Sequence, residues 1–142
     1  MNRILVIALL TAAVWIASIA PASATAQRTF VASDGNDANP CSLTLPCRSL
    51  SVALAQTNPG GEIVVLDSAG YGPVTINKAV SLVAPPGTYA GVSVLSGDGI
   101  VVSAGASDEV VLRGLTVNAQ GGNNTIEANG VDGAPTATYS AK

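Results

Sequence analysis

The chain has 142 residues, with six basic and nine acidic side chains, two cysteines and no histidine, for a formal net charge of −3. This length suits one small domain. Without histidine, the common zinc sites and the Ser-His-Asp and Cys-His catalytic arrangements are excluded. The acidic balance also argues against a nucleic-acid partner, because such partners require a basic protein face.

The amino terminus has the pattern of a secretory signal peptide, which we assign to residues 1–26. A short basic start precedes an uncharged apolar run from Ile4 to Ala20, and small residues follow it. Cleavage after Ala24 and cleavage after Ala26 both fit this stretch. An uncleaved membrane anchor is the alternative, but the apolar run is short for a spanning helix. We therefore expect a secreted or periplasmic protein with no membrane attachment after cleavage.

The next predicted element is a short strand over Arg28–Ala32, and the turn formers of Ser33–Pro40 predict a loop after it. Within this loop, residues 34–39 have a superficial likeness to a calcium-binding loop. Ala38 and Asn39 break the calcium pattern at its fifth and sixth positions, so a turn is the favoured interpretation.

The two cysteines, Cys41 and Cys47, are separated by five residues. In an exported protein they meet an oxidising compartment, and we predict a disulfide bond that holds a local turn. A reactive thiol or metal-binding pair is the alternative. That alternative would need a lowered thiol pKa or further ligands, and the sequence has no histidine to supply them.

A short amphipathic helix is predicted over Leu50–Gln56, which completes an amino-terminal unit at residues 27–62. Leu50, Ala53 and Leu54 fall at i, i+3 and i+4, which places them on one helix face. Ser49 is the candidate N-cap, and the sequence Asn58-Pro59-Gly60-Gly61 is the predicted stop signal.

Residues 63–126 contain short aliphatic segments separated by Gly, Pro, Asn, Asp and Ser, which indicates many short strands. The segments are Ile63–Leu66, Val74–Ile76, Val80–Val83, Val92–Leu95, Ile100–Val102, Val110–Leu112 and Leu115–Val117. Segment 74–76 precedes the similar segment 92–94 by 18 residues, so we predict a repeat of about 20 residues. The apolar-polar-apolar order of segments 74–76, 92–94 and 115–117 predicts that their middle residue faces solvent.

Two architectures compete for this pattern. An antiparallel sandwich or barrel would have longer strands and tight hairpins, and Asp98-Gly99 is the one hairpin signal of that kind. A right-handed parallel β-helix needs short strands with inward aliphatic residues that stack from coil to coil. We therefore predict an all-β protein, a right-handed parallel β-helix of about three coils.

Several of these segments resemble exported bacterial proteins with a pectin-lyase-like right-handed β-helix. The resembling segments are Phe30–Cys41, Pro46–Leu50, Gly60–Ile63, Tyr71–Ile76 and Val110–Val117, and the similarity extends over about residues 28–122. The resemblance implies that the helix at 50–56 caps the amino-terminal end of the coils. Because many such proteins are uncharacterised, it implies a fold rather than an activity.

The resemblance ends near Ile126, and residues 127–142 are predicted to form an irregular tail. Proteins of this kind usually have more than three coils. We therefore infer a truncated or altered member, whose open carboxyl-terminal coil is available for self-association.

Polysaccharide lyases of this fold use several acidic residues to bind calcium and a basic residue to remove a proton. The acidic and basic candidates here are Asp67, Asp98, Asp108, Glu109, Lys78 and Arg113. The acids lie at turns and are not spaced by one coil, so solubilising roles are favoured. Asp108 and Glu109 are adjacent and would point to opposite strand faces, so they do not form the carboxylate pair of a glycosidase. Arg113 is predicted to project outward or to pair with one of these two acids.

Aromatic and modification signals are few. Carbohydrate binders usually offer exposed aromatic rings, and the repeat region has only Tyr71 and Tyr89, one of which we expect to pack over a turn. Asn123-Asn124-Thr125 matches a glycosylation sequon, a pattern that is common by chance.

From the sequence we therefore predict no catalytic, cofactor-binding or metal-binding residues and no cofactor. The predicted function is that of an exported, non-catalytic domain with a structural or surface role, whose partner is a polysaccharide or another cell-surface component. The alternative is a remnant or relative of a polysaccharide lyase or glycoside hydrolase.

Overall fold

The computed structural model describes residues 25–119, 121, 123–128 and 137–140. The signal-peptide prediction therefore lies outside the described residues, except for its last two positions. Within the described residues the protein is mostly β-structure in parallel sheets, with one short helix. Among these residues, no helix combines the length and apolar character needed to span a bilayer.

The described elements follow one another in short steps along the chain. In chain order they are β1 (Ala26–Val31), α1 (Leu50–Gln56), β2 (Thr57–Val65), β3 (Ala69–Gly70), β4 (Val74–Ile76), β5 (Val80–Val83), β6 (Ala90–Val94), β7 (Asp98–Val102), β8 (Val110–Arg113), β9 (Leu115–Ala119), β10 (Asn123–Ala128) and β11 (Ala137–Ser140). Each of the seven predicted aliphatic segments overlaps a strand.

The strands form three parallel sheets. We name them sheet I, with strand order β1-β2-β5-β8-β11, sheet II, with order β3-β6-β9, and sheet III, with order β4-β7-β10. From β2 onward the chain visits sheets I, II and III in this order three times and then returns to sheet I. We call each such sequence of three strands a pass, so the described strands make three passes.

The Asp98-Gly99 dipeptide, the one hairpin signal noted in the sequence, does not form a hairpin turn. Asp98 and Gly99 both lie inside β7, which pairs in parallel with β4 and β10. A tight turn would have to join antiparallel neighbours. The structure therefore has no hairpin turn at Asp98 and Gly99.

The predicted repeat of about 20 residues is wrong for most of the passes. Val74 pairs with Ile100, 26 residues later, and Val80 pairs with Val110, 30 residues later. The segments at 74–76 and 92–94 are not equivalent, because they lie in sheets III and II. β4 in sheet III and β6 in sheet II both carry an apolar-polar-apolar triplet, so sequence similarity between them does not show which sheet each belongs to.

The core consists of inward side chains that lie over one another in neighbouring strands. In sheet I, Ile63, Leu82 and Leu112 are register partners and are at most 3% exposed. The alternation predicted from sequence is confirmed in β4, where Val74 and Ile76 are buried and Thr75 is exposed. Burial of such side chains is the main favourable contribution to folding.

The helix occupies its predicted bounds, and its buried residues are Leu50, Ala53 and Leu54, as the spacing indicated. It packs against β1, β2 and β4. The predicted stop signal at 58–61 lies inside β2 instead of in a loop. At Thr57 the chain passes directly from the helix into extended structure. Opposite β1, strand β2 has extra residues that form a bulge, and Gly60 within it has φ +74°.

The predicted irregular tail also differs from the structure. Residues 127 and 128 belong to β10, and β11 at 137–140 pairs in register with β8. The sequence Ala-Thr-Tyr-Ser lacks an aliphatic triplet, but a strand can add to an existing sheet edge through its backbone alone. This is the reason why the aliphatic pattern missed it.

Candidate functional site

The disulfide prediction is confirmed: Cys41 and Cys47 are bonded to each other, and both residues are fully buried. The loop that they close lies beside β1, and Val31 forms a parallel bridge with Cys47. The pair therefore holds the chain against the first strand of sheet I.

The segment that resembles a calcium loop makes a turn that supports the helix. The Asp37 carboxylate accepts hydrogen bonds from the backbone N–H groups of Arg48 and Ser49, at 2.8 and 2.9 Å, and from the Ser49 hydroxyl. Partial burial raises the pKa of Asp37, but the hydrogen bonds from Ser49 and Arg48 outweigh it, so the pKa is lowered overall. Ser49 stands at the predicted N-cap position, yet its hydroxyl caps no helical N–H.

Asp67, one of the acidic candidates, joins the amino-terminal loop to the first pass. It accepts hydrogen bonds from the Ser33 backbone N–H at 2.8 Å and from the Ser33 and Tyr71 hydroxyls. The Arg48 guanidinium lies 5.4 Å from the centre of the Tyr71 ring, within cation–π range. Tyr71 is only 2% exposed and thus is the tyrosine that packs over a turn.

These contacts shift two pKa values in opposite directions. Hydrogen bonds from Ser33 and Tyr71 favour the charged form of Asp67 and lower its pKa. Burial, followed by the contact with the Asp67 carboxylate, raises the pKa of the Tyr71 phenol. Tyr71 therefore remains a hydrogen-bond donor to an ionised Asp67 at neutral pH.

Acidification should weaken this connection. Because the folded-state pKa of Asp67 lies below its unfolded value, its stabilising contribution is complete above the unfolded pKa and is lost as pH falls through the folded pKa. We expect Asp67→Asn to reduce the loss of unfolding free energy between pH 6 and pH 3, as measured by urea denaturation followed by circular dichroism. Asp34→Asn, at an exposed position next to Ser33 in the amino-terminal loop, is the matched control. Equal slopes for both variants and the wild type would contradict the assignment.

The remaining charged candidates are dispersed along the chain. Lys78 donates to the Thr57 carbonyl at 2.6 Å, and Asp108 accepts the Gly105 N–H at 2.8 Å. Arg113 is exposed and forms no ion pair with Asp108 or Glu109; the ion pair in the described part of the chain joins Arg28 to Glu62.

The acidic candidates do not converge on one point. Asp67 follows β2, Asp98 begins β7, and Asp108 and Glu109 precede β8. Across residues 25–119 and the described positions beyond, no three acidic or cysteine side chains form a group that could hold a metal ion.

A surface groove of about 320 Å³ lies between the β5–β6 loop and the β8–β9 junction. We call it the Tyr89 groove, and its lining residues are Ala84–Tyr89 and Arg113–Thr116. The Tyr89 side chain is 47% exposed and rests on Gly91, where a Cβ atom would come within 2.7 Å of the ring. Glycine at position 91 therefore lets the ring lie close to sheet II.

The backbone around the Tyr89 groove is held on both sides. Ser68 Oγ accepts the Tyr89 N–H at 2.9 Å, and the Tyr89 carbonyl accepts the Ala69 N–H at 2.9 Å. Across the groove, the Arg113 carbonyl accepts the Ala84 N–H at 2.9 Å. Tyr89 and Arg113 thus belong to backbone segments that hydrogen bonds hold in place, one directly before β6 and one at the end of β8, as a preformed site requires.

The sequence identified Arg113 and Tyr89 separately but did not predict that they share a groove. They are 24 positions apart, with Tyr89 in the β5–β6 loop and Arg113 at the end of β8, so no local spacing connects them. The Asn123-Asn124-Thr125 sequon lies in β10, and its side chains are outside the described residues.

No protein-family model, no curated protein and no solved structure matches this chain.

Proposed function

We propose that this protein is an exported, non-catalytic domain with the right-handed parallel β-helix architecture of pectin-lyase-like proteins, and that it binds polysaccharide at the Tyr89 groove. Export would follow cleavage of the predicted signal peptide and would place the domain outside the cytoplasm. The proposal has two parts, an architecture and a binding site, and each rests on different observations.

The architecture is supported by the cyclic order of the strands. Three passes through sheets I, II and III, all in parallel, are what a coil with three faces requires. The stacked side chains Ile63, Leu82 and Leu112 fill the interior of such a coil. The helix α1, packed against β1, β2 and β4, is placed as an amino-terminal cap would be.

The binding site is supported by one observation, the exposed Tyr89 ring in a groove that also contains Arg113. An aromatic face offers a flat apolar surface to the C–H groups of a sugar ring. A guanidinium binds a carboxylate through two parallel hydrogen bonds, which favours polymers that contain acidic sugars. The net negative charge of the chain leaves Arg113 as a local cation in an acidic protein.

A non-catalytic role is supported by the bonds of the charged candidates. Asp67 binds Ser33 and Tyr71, and Lys78 binds the Thr57 carbonyl. These contacts link one part of the fold to another. Both side chains therefore have a structural use that does not involve a substrate.

Truncation of the tyrosine ring is the direct test. We expect Tyr89→Ala to weaken binding to polygalacturonate by about five- to tenfold, since one aromatic contact contributes roughly 1 kcal/mol. Isothermal titration calorimetry or affinity electrophoresis would measure the change. Tyr89→Phe keeps the ring and should bind like the wild type. Ser93→Ala, at an exposed position of β6 outside the groove lining, is the matched control.

The cation and the alternative function are tested in the same assay. Arg113→Gln should weaken binding to the acidic polymer and leave a neutral glucan unaffected, because only the former presents carboxylates. Equal binding by Tyr89→Ala and the wild type would reject the groove as the site. Release of unsaturated products from polygalacturonate in the presence of calcium would instead favour the lyase alternative.

A further inference from the structure

The outer face of sheet I is more apolar than the outer faces of the other two sheets. Outward positions of sheets II and III are mostly polar residues or glycine, among them Thr75, Ser93 and Thr116. In contrast, β1, β2, β5 and β8 each have an apolar outward side chain that is partly exposed. These side chains are Phe30, Val64, Val83 and Val111. They do not belong to the interior stack, and neighbouring apolar side chains on a surface typically mark an interaction site.

Three of these side chains form one row with Arg113. Phe30 is the register partner of Val64, and Val64 is the register partner of Val83. Val83 in turn pairs with Arg113, which lines the Tyr89 groove. We call Phe30, Val64, Val83 and Arg113 the sheet I row. Neighbouring strands lie about 4.8 Å apart, so the row extends about 14 Å from the groove to Phe30.

The ring at the far end of the row is attached to a fixed backbone. The Phe30 N–H donates to the Cys41 carbonyl at 2.8 Å, and the Phe30 carbonyl accepts the Cys47 N–H at 3.0 Å. On its other side, β1 pairs with β2. Phe30 is therefore held between the disulfide loop and the rest of sheet I. A ligand would not have to order this backbone on binding, which favours affinity.

We propose that an acidic polysaccharide chain lies along the sheet I row, so that the binding site extends from the Tyr89 groove to Phe30. This inference rests on the proposed function and deepens it, since it states the direction and the length of the bound chain. One sugar unit advances such a chain by about 4–5 Å, which is close to the spacing of neighbouring strands. The row therefore holds about four units, roughly one for each strand that it crosses.

The charges and the size of this face favour a polyanion over a second copy of the chain. On its outward positions, Arg28 and Glu62 neutralise each other at 2.6 Å, and Arg113 adds a positive charge. In a chain of net charge −3, this is a local site for an anion. A standard protein interface buries about 800 Å² per partner, whereas the patch measures only about 7 by 14 Å in the plane of the sheet.

Oligogalacturonates of two lengths test the row. Digalacturonate spans about half of it, and hexagalacturonate spans all of it. In titrations of the disulfide-bonded protein followed by amide NMR signals, hexagalacturonate should shift the Phe30 and Val64 signals, and digalacturonate should shift only those of the Tyr89 groove. Phe30→Ala should weaken hexagalacturonate binding by about five- to tenfold and change digalacturonate binding by less than about twofold. Phe30→Tyr keeps the ring and should bind both oligomers like the wild type.

A matched pair of charge variants tests the middle of the row. Val64 and Val101 are both partly exposed outward valines, but Val101 lies in β7 of sheet III. Their replacement by aspartate changes the net charge equally. At about 0.1 M salt, we expect Val64→Asp to weaken hexagalacturonate binding by about tenfold. Val101→Asp should bind like the wild type, because solvent-exposed charges more than about 10 Å apart are largely screened.

The possible failures are distinguishable. If Tyr89→Ala weakens hexagalacturonate binding but Phe30→Ala and Val64→Asp do not, the row is rejected and the Tyr89 groove is the whole site. If Phe30→Ala weakens the binding of both oligomers equally, the ring acts through the fold and the row is likewise rejected. If the wild type binds neither oligomer, the proposed function is rejected, and the row with it.

Discussion

Replacement of Leu82 by alanine is expected to lower the free energy of unfolding by about 2–5 kcal/mol. Leu82 is fully buried in β5, the middle strand of sheet I, with Ile63 and Leu112 as its register partners on either side. Truncation removes apolar contact area and leaves a cavity that two neighbouring strands, each held by its own backbone ladder, cannot fill. Small domains have roughly 5–15 kcal/mol of stability in total.

Urea denaturation followed by far-ultraviolet circular dichroism would measure this loss. Ser81→Ala, at the preceding position on the outward side of the same strand, should change the unfolding free energy by less than about 0.5 kcal/mol. The comparison isolates the direction of the side chain, because both residues share one strand and one ladder. Similar losses for Leu82→Ala and Ser81→Ala would contradict the assignment of an inward stack.

Replacement of Gly114 by alanine is expected to cost about 2–4 kcal/mol. Gly114 is the single residue between β8 and β9 and has φ +73°. A Cβ atom at this position would lie 2.4 Å from the Ala84 carbonyl oxygen. That oxygen is part of the backbone and cannot swing away as a flexible side chain would, so β8 or the start of the β5–β6 loop must move.

Gly87→Ala separates the two contributions to this cost, which are the left-handed backbone strain and the steric clash with Ala84. Gly87 also has a positive φ, +90°, but nothing lies within 4 Å of a Cβ atom placed there. Its substitution should cost only the left-handed backbone strain, roughly 1 kcal/mol. Thermal and urea unfolding of both variants would give the difference. If the two variants were equally stable, the close approach of β8 to Ala84 would be disproved.

The two glycines also relate stability to the proposed binding site. Gly87 and Gly114 both line the Tyr89 groove, one in the β5–β6 loop and one at the β8–β9 junction. A displacement at Gly114 would move the neighbouring Arg113 relative to Tyr89. We therefore expect Gly114→Ala, if it folds, to bind polygalacturonate less well than Gly87→Ala.

The sequence predicted local features well because each depends on neighbouring residues. The i, i+3, i+4 spacing of Leu50, Ala53 and Leu54 identified the helix, and the alternation in Val74–Ile76 identified a strand and its buried side. The disulfide followed from the proximity of Cys41 and Cys47 in the chain. In each case the physical cause lies within about seven residues.

The partners of each strand could not be predicted in the same way. The triplets Val74–Ile76 and Val92–Val94 have the same apolar-polar-apolar order, so the pattern did not show that they lie in different sheets and that Val74 pairs with Ile100. Passes of unequal length arise because loops on the surface accept insertions at little cost. Register is set by the stacking of whole strands, which is a property of the tertiary structure.

By itself, then, the sequence determined that the chain has short strands with one buried face, a small helix and a disulfide loop. The local order of apolar and polar residues encodes the strands and the helix, and the short spacing of the two cysteines encodes the loop. Only the tertiary structure decided which strands are neighbours and that Tyr71 is buried against Asp67 while Tyr89 stays exposed beside Arg113. It also decided that Cys41 and Cys47 cover the edge of β1. The physical reason is that these contacts join distant segments, and their geometry depends on how successive passes stack.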